Sequence, residues 1–244
     1  MQDFLQLKGG SDVPLCSLPG IVCQKCGVVK IGRSGASAES IQGDLSFLRR
    51  FPELREVDLS WTRVTGDLSS LRNLSKLEKV DLRQTQVSGK LASLEYLTKL
   101  KELYLDHPEV SGDLKSLESA RLEWLDLDRT KVSGELTSLK KMTGLKRLYL
   151  RSTQISGNLS ALETMRDLER LYLSWTKVSG SLVPLSRITG LETLFLRDTE
   201  VSGTLAALED LTSLVKLPVR LQAVPQRCPN PAKGPPFLLS LIHI

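Results

Sequence analysis

Residues equipped for chemistry are few in this sequence, and they fall into three groups. Three of the four cysteines lie together, Cys16, Cys23 and Cys26, in CSLPGIVCQKC. The spacing of Cys23 and Cys26 suits a redox pair or half of a zinc site; a small cap held by a disulfide, or one with free thiols, fits equally. A second C-x-x-C is missing, because the fourth cysteine, Cys228, is distant in sequence. The second group centres on His107, which follows Asp106, with Asp126 and Asp128 one period further on. An imidazole among carboxylates can hold a metal or move a proton. No nucleophile and no glycine-rich phosphate loop accompanies it, so the reading is no catalytic residue, no metal and no cofactor. The third group mixes arginine with aromatic rings in the second half of the chain. Its chemistry is non-covalent: rings stack, and guanidinium groups select acidic partners.

What positions these residues is a repeat. Glycine recurs at Gly43, Gly66, Gly89, Gly112, Gly134, Gly157, Gly180 and Gly203, in steps of 23 residues with one step of 22. The unit reads G-x-L-x-x-L-x-x-L-x-x-L-x-x-L-x-L-x-x-T-x-V-S, as in Gly66–Ser88. A fixed period of this length marks a solenoid, in which each repeat packs only on its neighbours. Within L-x-x-L-x-L the alternation is that of a strand, so Leu77, Val80 and Leu82 point inward while Lys79, Asp81 and Arg83 point outward. The three-residue spacing of the other leucines suits a short 3₁₀-like return segment. Stacked coils of this kind place a parallel sheet on the concave side.

The repeat resembles the leucine-rich repeat, and its VSGxL segment resembles the plant-like class of that family. The resemblance covers about residues 41–225, in eight copies. It implies an α/β fold: a leucine-rich-repeat solenoid, or horseshoe, of about eight coils of 22–23 residues with a concave parallel β-sheet. It also implies recognition of other molecules, most often proteins, on that sheet. Where the family commonly has Asn, this chain has Thr62, Thr85, Thr130, Thr153, Thr176 and Thr199, as in variants from algae and other protists. A Thr hydroxyl is expected to do a smaller version of the work of Asn, which bonds the neighbouring coil's backbone. Two irregularities adjoin: Pro108 stands where Thr belongs, and one residue is missing between Leu117 and Leu122. Together they predict either a local change of curvature or simple drift in a tolerant loop.

The outward strand positions divide the concave face. Glu56, Asp58, Asp81, Glu102, Asp106, Asp126 and Asp128 make the first four coils acidic. The later coils carry Arg147, Tyr149, Arg151, Arg170, Tyr172, Phe195 and Arg197, with Trp124 before them and Trp175 at a strand exit. Aromatic residues and arginine are the material of binding hot spots. The expected function is non-catalytic recognition of a protein or peptide partner, with acidic or phosphorylated groups chosen by the arginines. The acidic half is a second contact region in this reading, and it disfavours nucleic acid by repelling a polyanion. Alternatives are the sensor or scaffold part of a larger receptor or signalling enzyme, such as a receptor kinase, and a purely structural array.

Net charge is +5, and part of the excess lies in the flanks rather than in the repeats. Residues 1–40 form the expected N-terminal cap. MQDFLQLKGG lacks the features of a secretory signal, which inclines the reading toward the cytoplasm; a longer N-terminus would allow secretion and use of the sequons at Asn73 and Asn158. No apolar run approaches the roughly 18 residues of a membrane span. Residues 226–244 read as an irregular tail. The last six, LSLIHI, match a translated library-adapter sequence and are left out of the fold. A monomer is expected.

Overall fold

The computed structural model describes Cys16 and residues 20–24, 27–32 and 41–217. Cys26, Cys228 and the expected tail at 226–244 lie outside the described residues. Cys16 and Cys23 are joined by a disulfide with a Cα separation of 5.7 Å. Cys23 is therefore bonded to a residue seven positions back and not to its C-x-x-C neighbour.

Two parallel sheets run the length of the solenoid. The first holds β1 (Ile21–Gln24), β2 (Gly27–Ile31), β4 (Glu56–Asp58), β6 (Lys79–Asp81), β8 (Glu102–Tyr104), β10 (Trp124–Asp126), β12 (Arg147–Tyr149), β14 (Arg170–Tyr172) and β16 (Thr193–Phe195), in that spatial order. Only the β1–β2 pair is antiparallel. It closes the end of the sheet, with Lys30 and Ile31 of β2 paired to Glu56 and Val57 of β4. The second sheet stacks β3 (Gln42–Asp44), β5 (Arg63–Asp67), β7 (Gln86–Lys90), β9 (Val110–Asp113), β11 (Lys131–Glu135), β13 (Gln154–Asn158), β15 (Lys177–Ser181) and β17 (Glu200–Ser202). Sequence periodicity announced the first sheet and not the second, which is built from the x-V-S-G-x stretch. Short 3₁₀ segments such as Leu68–Leu71 and Leu159–Leu162 follow it. Asp67 and Asn158 cap these two, accepting from the backbone N–H of Ser69 at 2.8 Å and of Ser160 at 2.9 Å.

The leucine ladder fills the space between the sheets. In one coil Leu68, Leu71, Leu74, Leu77, Val80, Leu82 and Val87 are all buried, and each stacks on its equivalents above and below. Burying one such side chain stabilises by about 1.5–3 kcal/mol relative to exposure. The threonines serve their own coil. Thr62, Thr85, Thr130, Thr153, Thr176 and Thr199 are buried, and each hydroxyl donates to the carbonyl three residues earlier, from Leu59 to Leu196, at 2.6–2.8 Å. This corrects the expectation of a bond to the neighbouring coil: the threonine Oγ is too short to leave its own turn, so it closes the bend after the strand.

The repeat glycine has a geometric cause. Gly89 has φ +120°, and a Cβ there would lie 2.6 Å from the Asp67 carboxylate and 2.9 Å from the backbone nitrogen of Leu68 in the preceding coil. Only glycine allows both that dihedral and that approach. Gly144 has no heavy atom within 4 Å of its Cβ position. Gly89→Ala should therefore cost about 2–4 kcal/mol and Gly144→Ala less than about 0.5 kcal/mol, measured by urea unfolding. Equal effects would mean that close coil contact is not what the repeat glycine provides.

Candidate functional site

The parallel register lines up the outward residues of the first sheet. Trp124, Arg147, Arg170 and Thr193 form one row, and Asp126, Tyr149, Tyr172 and Phe195 form the next. Between them Leu125, Leu148, Leu171 and Leu194 turn into the core and are fully buried. Strand alternation thus delivers every second side chain to one surface, at the strand spacing of about 4.8 Å.

At that spacing the rings must touch. Tyr149 and Tyr172 lie 4.6 Å apart between centroids, and Tyr172 and Phe195 are stacked at 4.5 Å with an interplanar angle of 10°. The Arg147 guanidinium sits 4.1 Å above the Trp124 ring, and that of Arg151 is 5.8 Å from Tyr172. The Nε atoms of Arg147 and Arg170 are buried and have no hydrogen-bond partner among the described residues; their ion-pair contacts, to Glu169 and Glu192, are long at 3.8 Å. Arg151 is more committed, with Nε donating to Asp128 at 2.8 Å and its backbone N–H to the same carboxylate at 2.7 Å. Burial and the neighbouring Tyr149 push the Tyr172 phenol up, so it stays a neutral donor. Sequence reasoning named these residues as one set in which arginine can stack on the rings; which group meets which follows from the strand register.

The acidic residues expected as a contact region are engaged within the chain. Glu56 pairs with Lys30 at 2.6 Å and Glu102 with Lys79 at 2.7 Å. Asp81 holds Arg83 through two bonds, at 2.6 and 3.0 Å. Asp58 accepts from the Ser60 hydroxyl at 2.7 Å. Asp106 accepts from the backbone N–H and side-chain amide of Gln84 at 2.7 and 2.6 Å, and from Arg129 at 3.3 Å. Next to them Tyr104 is buried, its hydroxyl donating to Glu102 at 3.1 Å. The strip cross-links successive coils.

Trp175 and its counterpart Trp61 stand beyond this face, at the strand exit. Both have left-handed backbones, φ +58° and +61°, and both are exposed. Arg197 reaches back over Trp175 at 5.6 Å and so links the exit edge to the arginine row. His107 is on the same edge, its Nδ1 accepting from the Glu109 N–H at 3.3 Å. Among the described residues no group of three or more His, Cys, Asp or Glu is arranged to hold a metal ion.

One carboxylate is poorly compensated. Asp126 is pushed up to about 7 by burial and by the adjacent Asp128; the N–H of Asp128 and the more distant Arg83 act against this. Burial also raises Asp128, which Arg151 holds down. A carboxyl whose folded pKa exceeds its unfolded value binds its proton more tightly when folded. Its contribution is complete below about pH 4 and is lost as pH rises through about 7. Asp126→Asn should keep the bond from Asp128 and raise stability by about 2–4 kcal/mol at pH 8. The gain should fade below pH 5. Thermal melts across that range test this, and a gain independent of pH would contradict it.

No protein-family model and no curated relative matches this sequence. Solved structures do match in fold. The ectodomain of the Arabidopsis thaliana membrane receptor kinase GASSHO1/SCHENGEN3, solved with Casparian strip integrity factor 2, superposes with TM-score 0.75 at 23% identity, covering 89% of this chain and 27% of its own. The Arabidopsis receptor kinase HAESA, in complex with the peptide hormone IDA and the co-receptor SERK1, gives 0.70 at 26% identity, with 83% and 36% covered. Internalin C2 of Listeria monocytogenes gives 0.58 at 24%, with 68% and 71% covered. The chain thus spans two fifths or less of the plant receptor structures that it matches. Period, paired parallel sheets and structural likeness agree: the chain has the leucine-rich-repeat solenoid fold.

Proposed function

We propose that this chain is a non-catalytic recognition module that binds a protein or peptide partner on the concave face of coils five to seven. The observation that carries the reading is the continuous row of Tyr149, Tyr172 and Phe195, flanked by the half-buried Arg147 and Arg170. Rings fixed by mutual stacking lose little rotamer freedom when a ligand arrives, so contact area is gained at small entropic cost. Guanidinium groups beside these rings suit an acidic or phosphorylated group on the partner. Arg151 and Arg197 border the same patch. The plant neighbours solved with peptide hormones support a peptide as the ligand class.

The acidic strip enters this reading as a boundary. Its carboxylates already hold Lys30, Lys79, Arg83, Arg129 and Arg151, and the buried Asp81 and Asp128 offer little to a partner. A second reading, the sensor part of a larger receptor, is favoured by the likeness to receptor-kinase ectodomains. A transcript read beyond the codons for Cys228–Ile244 discriminates the two.

Random-peptide display on the purified chain supplies the ligand, and calorimetry the affinity. Arg170→Ala with Tyr172→Ala should weaken the selected peptides at least tenfold while the circular-dichroism spectrum is unchanged. Affinity should also fall between 50 and 500 mM salt, since exposed arginine contacts are screened. Capture that survives the double substitution would remove the patch from the account.

A further inference from the structure

We propose that the strand-exit edge between Trp61 and Trp175 is a separate binding site, a groove for a linear, neutral oligosaccharide. Two open depressions of about 660 and 640 Å³ lie end to end on this edge and share Arg129. Trp61 bounds the first and Trp175 the second, five coil steps apart, or roughly 24 Å at the ordinary strand spacing.

The two tryptophans occupy the same position of an identical tetrapeptide, L-S-W-T, at residues 59–62 and 173–176. That position needs left-handed backbone, at a cost of about 1–2 kcal/mol for any residue with a Cβ. Other copies fill it with Gln84, Arg129, Ser152 and Asp198, all polar and all exposed. Tryptophan there is 59% exposed at Trp61 and 48% at Trp175, so its rings contribute little to the core. The irregular third coil lines the first depression with His107 and Pro108. In regular coils the left-handed residue's N–H donates to the next backbone, as Trp61 does to Arg83 at 2.8 Å and Trp175 to Arg197 at 2.8 Å. At His107–Pro108 the backbone turns away, and the Asp106 carboxylate takes the Gln84 N–H instead.

The lining sets the ligand class. Apart from Pro108 it contains no aliphatic side chain, so it offers no apolar pocket for peptide anchors. Arg63, Gln86 and Gln154 line the walls, and their side chains have no hydrogen-bond or ion-pair partner among the described residues. Planar amides and guanidinium groups can bridge adjacent hydroxyls, and an indole face packs on the C–H face of a pyranose ring. Arg129 and Lys131 are already paired with Asp106 and Glu109, so Arg63 is the one lining cation without an ion-pair partner among the described residues and the groove offers little net charge to an anion. Spacing favours sugars too. Same-side residues of an extended peptide recur about every 6.7 Å, out of step with coils about 4.8 Å apart, whereas pyranose rings in a linear chain recur at close to the coil spacing.

Tryptophan fluorescence and calorimetry on the full chain, with cello-, manno-, xylo- and chito-hexaose, test the proposal. At least one should bind with Kd below about 1 mM, and Tyr172→Ala should not change it. Trp61→Gln with Trp175→Gln places a residue already found at the equivalent Gln84, and should weaken binding at least tenfold. Gln86→Ala with Gln154→Ala should do the same, and it serves if the tryptophan variant fails to fold. Absence of binding by all four sugars, or affinity unchanged in both double variants, would overturn the assignment. So would binding of an oligogalacturonate alone that disappears in high salt.

Discussion

Every coil of this chain leaves a row of backbone N–H and C=O groups and a layer of leucine unsatisfied until the next coil lies on it. That mutual dependence, at a strand spacing near 4.8 Å, governs the rest of the structure. It forces glycine at the close approach represented by Gly89, whose Cβ position lies 2.9 Å from the neighbouring backbone. It stacks Leu77 on Leu100 and Val80 on Leu103, all buried. It also requires ends that differ from the middle, and the antiparallel β1–β2 pair answers that need at one end.

The same spacing converts sequence repetition into surface chemistry. Equivalent outward residues fall side by side whatever their type, so charges meet as inter-coil pairs and rings meet as stacks. In the early coils this pairs Glu56 with Lys30 and Glu102 with Lys79. In the later coils it stacks Tyr172 on Phe195 and covers Trp124 with Arg147. Carboxylates with a close basic neighbour are consumed within the fold, whereas Arg147 and Arg170 reach Glu169 and Glu192 only at 3.8 Å. In the proposed function, the binding preference follows from which columns lack a close internal partner, more than from the overall charge of each half.

Much of this was legible before any coordinates. The glycine period and L-x-x-L-x-L alternation located every regular strand of the first sheet, because period and burial follow from one physical cause. The second sheet was missed since x-V-S-G-x offers only one apolar residue per strand, Val87 in Gln86–Lys90 for example, too few to show alternation. The threonine bond was misassigned because side-chain reach, and not donor type, decides its acceptor. The cysteine spacing left several chemistries open, and the pairing of Cys16 with Cys23 depends on chain path. The groove at the strand exits had a visible signal in the repeated L-S-W-T, but its lining depends on how the exit turns of successive coils lie side by side. Asp126 could not be read at all, since the burial that raises its pKa is tertiary.

The central claim is that the later coils present a rigid surface formed before any partner arrives. Hydroxyl-radical footprinting of the chain, free and with a selected peptide bound, tests it most directly. The account predicts protection of Tyr149, Tyr172 and Phe195 on binding, with labelling of the return segments unchanged. Protection confined to the return segments, or labelling changes spread through the leucine core, would contradict it.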